Sequence, residues 1–185
     1  MRIKNAKTIS AIYFASLFFI FIVIEFNRTG DFFVYHQTAS DLFDTENIFT
    51  KLYGNPPSLF YFGSPSLTTL LYPFSLLPIG AASLLWKLIN LFALFRTFQL
   101  IDHCLFQPFL KTKQRVTALI IIFIGSFFWV YSNFHLLQLT IVILFLCLEA
   151  LNQIFFHNRK WLGGFLLGLA LCFKITPIVF LPYLL

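Results

Sequence analysis

Charge is scarce in this sequence. Only 11% of its 185 residues are Asp, Glu, Lys or Arg, with 13 basic side chains against 7 acidic ones. A soluble domain has about a quarter of its residues charged, so an ordinary water-soluble globule is excluded. A hydrophobic content of 59% and a mean hydropathy of +0.84 exclude a disordered chain as well. Cysteine is scarce too. Cys104, Cys147 and Cys172 stand in or beside apolar runs with no CxxC spacing, and they read as small buried hydrophobes rather than a disulfide or zinc set. GxxxxGK[ST], GxSxG and HExxH are all missing, which excludes a nucleotide-driven pump but not a transporter. What remains is a polytopic membrane protein.

Long hydrophobic runs are what the sequence has in quantity. A membrane helix needs about 20 mostly apolar residues. Thr8–Ile24 qualifies. It follows Arg2, Lys4 and Lys7, and no small-x-small cleavage site comes after it, so it reads as an uncleaved signal anchor. Ile79–Ile101, Val116–Ser132, Leu136–Phe156 and Trp161–Leu185 supply four further spans. Ser66–Leu77 is too short to cross and carries Pro73, which suits a re-entrant or interfacial helix. The expected architecture is an all-α transmembrane bundle of about five spans forming one domain, 1–185. The chain stops within apolar sequence at Pro182-Tyr183-Leu184-Leu185, as the N-terminal part of a longer protein would.

Five spans sort the basic residues. One side holds Arg2, Lys4, Lys7, Lys111, Lys113, Arg115, Arg159 and Lys160, eight in all, and the other holds only Arg28 and Lys51. The imbalance puts the N-terminus in the cytoplasm. The excess of positive charge is thereby topological, and nucleic acid is not an expected partner.

Residues 25–65 form the first extracytoplasmic loop, long enough to be functional. It contains Glu25, Asp31, Asp41, Asp44 and Glu46, five of the seven acids. Phe32, Tyr35, Ala39 and Leu42 recur at helical spacing, so 32–43 is expected to be an amphipathic helix with its stripe on the membrane or the bundle. Asp31 opens that helix, either as an N-cap or as a functional acid near the outer end of the first span.

The same side holds Asn133, His135 and Gln138 at the outer turn, and Lys174 about 20 Å along the last span. An intramembrane Lys marks a functional site by default, although Lys174 is near enough to the headgroups to snorkel. Pro177 is expected to kink the helix beside it. Gly164, Gly168 and Cys172 form a small-residue stripe for close packing. Lys87 reads as snorkelling outward, Arg96 as snorkelling to the cytoplasmic surface, Glu149 as structural, and His36 as a surface histidine rather than a base. The loop acids show no recognised metal-ligand spacing.

The order of these pieces resembles a known family. It runs from Gly30-Asp31-Phe32-Phe33-Val34-Tyr35 through Phe60-Tyr61-Phe62-Gly63-Ser64-Pro65, Leu70-Leu71-Tyr72-Pro73 and Leu85-Trp86 with Asn90. It continues with Gln138, Trp161-Leu162-Gly163-Gly164 and Phe173-Lys174-Ile175-Thr176-Pro177. This is similar to glycosyltransferase family 87, polytopic enzymes of the GT-C fold that resemble polyprenyl-phosphate-mannose-dependent mannosyltransferases. At 63–65 the sequence departs from the Tyr-Pro-Pro often found there. The resemblance, taken over the whole chain, implies an inverting hexosyltransferase of the plasma (inner) membrane and cell envelope. Its donor is a polyprenyl-phosphate sugar such as mannose, its acceptor a glycan or glycolipid, and it needs no cofactor. It implies Asp31 as catalytic base, Lys174 and then Lys87 at the donor phosphate, and Tyr35, His36, His135 and Gln138 in contact with substrate. Asp31 and Lys174 are then expected to share one outer cavity roofed by the 32–43 helix. The competing readings are a transporter or flippase of lipid-linked sugars, and an inactive fragment or noncatalytic membrane subunit.

Overall fold

The computed structural model describes residues 28–44, 47–54, 57–61, 63–174 and 176–177. The expected span Thr8–Ile24, the acids Glu25 and Glu46, and the last expected span beyond Pro177 lie outside the described residues. Within them the elements are α1 (Phe32–Ser40), β1 (Leu52–Tyr53), β2 (Leu59–Phe60), α2 (Pro65–Ser75), α3 (Ile79–Leu100), α4 (Thr112–Leu136), α5 (Thr140–Phe155) and α6 (Lys160–Phe173). The fold is therefore essentially all-helical. The two short strands form an antiparallel hairpin with Leu52 opposite Phe60 and Tyr53 opposite Leu59, which the polar composition of the loop did not lead one to expect.

α3 continues through a π-helical turn, Ile101–Phe106, making 28 residues of helix, and α4 has 25. Both are long and apolar enough to cross a membrane. On α4, Ile120, Ile121, Ile124, Phe127, Phe128 and Trp129 are all exposed. Such a continuous apolar face suits hydrocarbon and would be a liability in water. α5 and α6 are apolar but shorter, 16 and 14 residues. α2 has 11 residues, about 16 Å of helix, so it cannot cross a ~30 Å core alone. Its start is set by Ser64, whose Oγ accepts the Leu67 N–H at 3.0 Å, with Pro65 in the first turn.

Element ends depart from expectation at three places. α1 stops at Ser40 rather than running to 43, and Asp41 caps it. It does not carry one apolar stripe. Phe32 and Ala39 enter the main core, while Val34 packs on the other side with Tyr53 and Tyr61 in a small second core. The α4–α5 turn falls at 137–139 instead of 133–135, because Leu137 itself takes a left-handed conformation with φ of 51°, a residue type that gives no such signal. Finally, α6 ends at Phe173 rather than kinking. Lys174 is extended, at φ −157° and ψ 143°. In a continued helix Pro177 would lack the N–H for the Phe173 carbonyl and its ring would crowd that oxygen, so the helix gives out before it.

α5 and α6 make the most extensive helix pair. The close approach is at Gly163, where a Cβ would lie 2.3 Å from Ile154 Cγ1 and 2.8 Å from the Ala150 carbonyl. A Cβ on Gly164 or Gly168 meets nothing within 4 Å, so the expected small-residue stripe is one position out of register with the contact. Arg96 remains part-exposed and also pairs with Glu149, Nη2 and Oε2 being 3.3 Å apart. Beyond it, Cys104 Sγ lies 3.6 Å from Asn152 Oδ1, so the α3–α4 and α5–α6 turns, with Lys111, Lys113, Arg159 and Lys160, share one end of the bundle. Asp102 pairs with Arg115 there.

Gly163→Ala should destabilise the protein by about 1–3 kcal/mol, the range for overpacking, whereas Gly164→Ala should cost nothing. Unfolding in detergent micelles, followed by circular dichroism, measures both. Equal effects would contradict the packing register.

Candidate active site

The site forms at the other end of the bundle, where the loop meets the α4–α5 turn. The left-handed Leu137 diverts the chain at the end of α4, and the Leu136 carbonyl accepts the Asp31 N–H at 2.7 Å. Gly30 makes that approach possible. Its φ is +47°, and a Cβ there would lie 2.3 Å from the Leu136 oxygen, so only glycine fits. Asp31 occupies the N-cap position of α1, yet its side chain makes no capping bond. Its carboxylate faces Gln138, whose Nε2 is 3.5 Å from Oδ2. Of the two sequence readings, the capping one is not realised.

Lys87 is 6% exposed and donates from Nζ to the Arg28 carbonyl at 2.8 Å. It points into the bundle rather than outward, and the carbonyl satisfies one of its N–H donors. Arg28 Nη1 lies 2.8 Å from His135 Nε2, on the last turn of α4. Below them Asn90 and Asn133 form a buried amide pair. Phe32 stacks on Trp86 at 5.5 Å, with Phe74 edge-on to both, and this aromatic floor carries the start of α1.

Tyr35 is half-buried, with its ring edge-on to Tyr61. Its phenol is pushed up to about 12 by burial, then by the Asp31 charge, then by Tyr61. Burial likewise raises Tyr61, whose hydroxyl donates to the Ser64 carbonyl and accepts from Thr68. His36 is turned away from this group. Its Nε2 meets the Leu77 carbonyl at 3.0 Å and ties α1 to the α2–α3 turn. Lys174 is exposed just past α6. Ser64 Oγ bonds the Cys172 carbonyl, and the α5–α6 pair is antiparallel, so Lys174 comes to the same end as Gln138. Among the described residues no hydrogen bond or ion pair joins it to Asp31. The structure thus brings Asp31 and Gln138 into contact, sets Lys87 and His135 beside them through Arg28, and leaves His36 elsewhere.

Arg28, Asn90, Asn133 and Tyr61 belong to this end but stood out in the sequence only as a loop charge, family-motif or turn residues, and an aromatic. Asn90, a polar amide inside an apolar span, carried the clearest signal. Among the described residues no three His, Cys, Asp or Glu side chains gather as a metal-ligand group.

A family model described as glycosyltransferase family 87 matches residues 61–185, about two thirds of the chain. The chain belongs to glycosyltransferase family 87. No curated protein and no solved structure matches it. Membership of family 87 makes glycosyl transfer the reaction class, with a sugar donor and an acceptor. The matched stretch contains Lys87, His135, Gln138 and Lys174. Gly30–Tyr35 precedes it, so the resemblance read over the whole chain is matched only from Tyr61 onward.

The raised Tyr35 phenol gives a pH signature. Below pH 10, the ordinary tyrosine value, both folded and unfolded forms are neutral and stability is unaffected. Between 10 and about 12 the unfolded phenol ionises while the folded one does not, so stability falls as pH rises, by about 2–3 kcal/mol in all. Tyr35→Phe should remove that part of the alkaline loss, read from unfolding midpoints between pH 9 and 12. An unchanged profile would show that Tyr35 titrates normally.

Proposed function

We propose that this family 87 protein is an integral-membrane, inverting hexosyltransferase whose base is Asp31. The observation that carries the reading is the seat of Asp31. Gly30 and the Leu136 carbonyl fix its backbone, and its carboxylate, unused as a cap, faces Gln138 at the bundle end opposite the basic turns. In the proposed reaction an acceptor hydroxyl attacks the anomeric carbon of a polyprenyl-phosphate sugar, mannose-like in class. The bond from that carbon to the phosphate oxygen breaks, the proton passes to Asp31, and the lipid phosphate leaves. A single displacement inverts the anomeric centre. Lys174 is the proposed partner of the departing phosphate. Lys87 is the weaker candidate, since its Nζ already serves the Arg28 carbonyl. Tyr35, His135 and Gln138 are proposed to line the substrate; His36 is less suited, being engaged at Leu77. The basic turns at 111–115 and 157–160 are proposed to be cytoplasmic, in the plasma (inner) membrane, with the reaction on the far side.

The test is transfer of labelled sugar from a polyprenyl phosphate in reconstituted membranes, with donor affinity measured in parallel. Asp31→Ala should lower turnover about 10²–10⁴-fold, as loss of a general base does, and leave donor affinity nearly unchanged. Lys174→Ala should weaken both, because the phosphate is charged before and after transfer. Near-normal transfer by Asp31→Ala would end the mechanism. Cysteine labelling that found position 113 outside would overturn the orientation.

A further inference from the structure

We propose that Asn90 and Asn133 are positioning residues that hold Gln138, and through it the Asp31 carboxylate. The proposal rests on the reading of Asp31 as base for its functional meaning, though not for its geometry. Asn90 on α3 and Asn133 on α4 are 1% and 4% exposed, packed in an apolar core where each amide group demands a partner. Asn90 Nδ2 donates to the Trp86 carbonyl at 3.0 Å. That fixes its orientation and presents Oδ1 to α4, where it accepts Asn133 Nδ2 at 3.3 Å. The same Nδ2 reaches the Gln138 carbonyl at 3.4 Å, and the Asn133 carbonyl accepts the Gln138 N–H at 3.0 Å. Both backbone polar groups of Gln138 are thus held by one residue, across the left-handed Leu137. The side chain so placed puts Nε2 3.5 Å from Asp31 Oδ2.

These side-chain contacts are long and individually weak. The burial is the stronger observation. Among the described residues Asn133 Oδ1 is buried with no hydrogen-bond partner, a cost carried for the sake of the bonds its Nδ2 makes. The one Nδ2 of Asn133 answers both the buried Asn90 Oδ1 and the Gln138 carbonyl, so the amide at 133 links the α3–α4 core to the placement of Gln138. With Gln138 set, Oδ2 of Asp31 faces an N–H donor, and no hydrogen bond to Oδ1 is found among the described residues.

The experiment is carbodiimide-driven amidation of Asp31 in the protein reconstituted in lipid nanodiscs, read by peptide mass spectrometry against exposed Asp44 as internal reference. Gln138→Met should raise the Asp31 rate relative to Asp44 about threefold or more, the scale of coupling between residues in contact. Asn133→Ala should do the same, and the double variant should go no further than the larger single effect. Asn152→Ala removes an equally buried amide at the opposite end of the bundle and should leave Asp31 unchanged. An unchanged rate in Asn133→Ala, multiplying effects in the double variant, or an equal rise in Asn152→Ala would each overturn the proposal. In sugar transfer, Asn133→Ala should lower kcat and spare the donor KM, with no added loss in Gln138→Met. If the unaltered protein transfers no sugar, the reading of Asp31 as base falls, while the labelling series still decides whether the asparagines position it.

Discussion

A helix that ends among apolar side chains leaves carbonyls in need of donors, and the end of α4 meets that need with the Leu136–Asp31 bond of 2.7 Å. Much of the site follows from it. The donor is a backbone N–H, so the Asp31 carboxylate is left for other use. The approach is so close that residue 30 must lack a side chain. Because the bond ties the loop to the α4–α5 turn, the residues on either side of it, Arg28 and Gln138, are carried to the same place. α1 then starts in a fixed direction, with Phe32 laid on Trp86.

The same constraint explains how the bundle tolerates its charges. Lys87 is nearly fully buried but meets a backbone carbonyl, and Glu149 is met by Arg96 and by the side-chain amides of Asn152 and Gln153. The Arg96–Glu149 pair joins α3 to α5, and Lys87 joins α3 to the loop at Arg28, so these contacts also fix which segments are neighbours. Removing one partner of such a pair costs more than the pair itself contributes, because the other charge stays behind in apolar surroundings. The polar groups of α3 therefore act in opposite halves of the bundle: Lys87 and Asn90 toward the Asp31 end, Arg96 toward the basic turns.

Hydropathy alone was enough to locate α3 and α4, because runs such as Leu119-Ile120-Ile121-Ile122 leave little choice of partner but lipid or core. The shortness of α2 was equally legible from its 12-residue run and Pro73. Where the sequence misled, a local conformation had been chosen by tertiary contact. Leu137 turns left-handed with no glycine or asparagine to announce it, which moved the turn. Gly163 and Gly164 are adjacent and chemically identical, and only the packing of α5 decides which is crowded. At the site, Asp31 stood out as an acid at a helix start. Its contact with Gln138, 107 residues away, has no local signature, and neither does the reach of Lys87 back to Arg28.

The setting of Lys174 is electrostatically mixed, and that bears on the phosphate role proposed for it. It follows the C-terminus of α6, where the helix dipole presents partial negative charge that favours a cation and disfavours an anion. Ser64 draws off one of those carbonyls, that of Cys172, and Ser64 is also the N-cap of α2. The N-terminal end of α2, with its opposite dipole, is therefore brought against the C-terminal end of α6. Two helix ends of opposite sign largely cancel for an anion placed between them, which leaves the full charge of the lysine as the deciding contribution. The backbone at Lys174 is extended, so its side chain leaves the chain beyond the wall of α6 rather than from it.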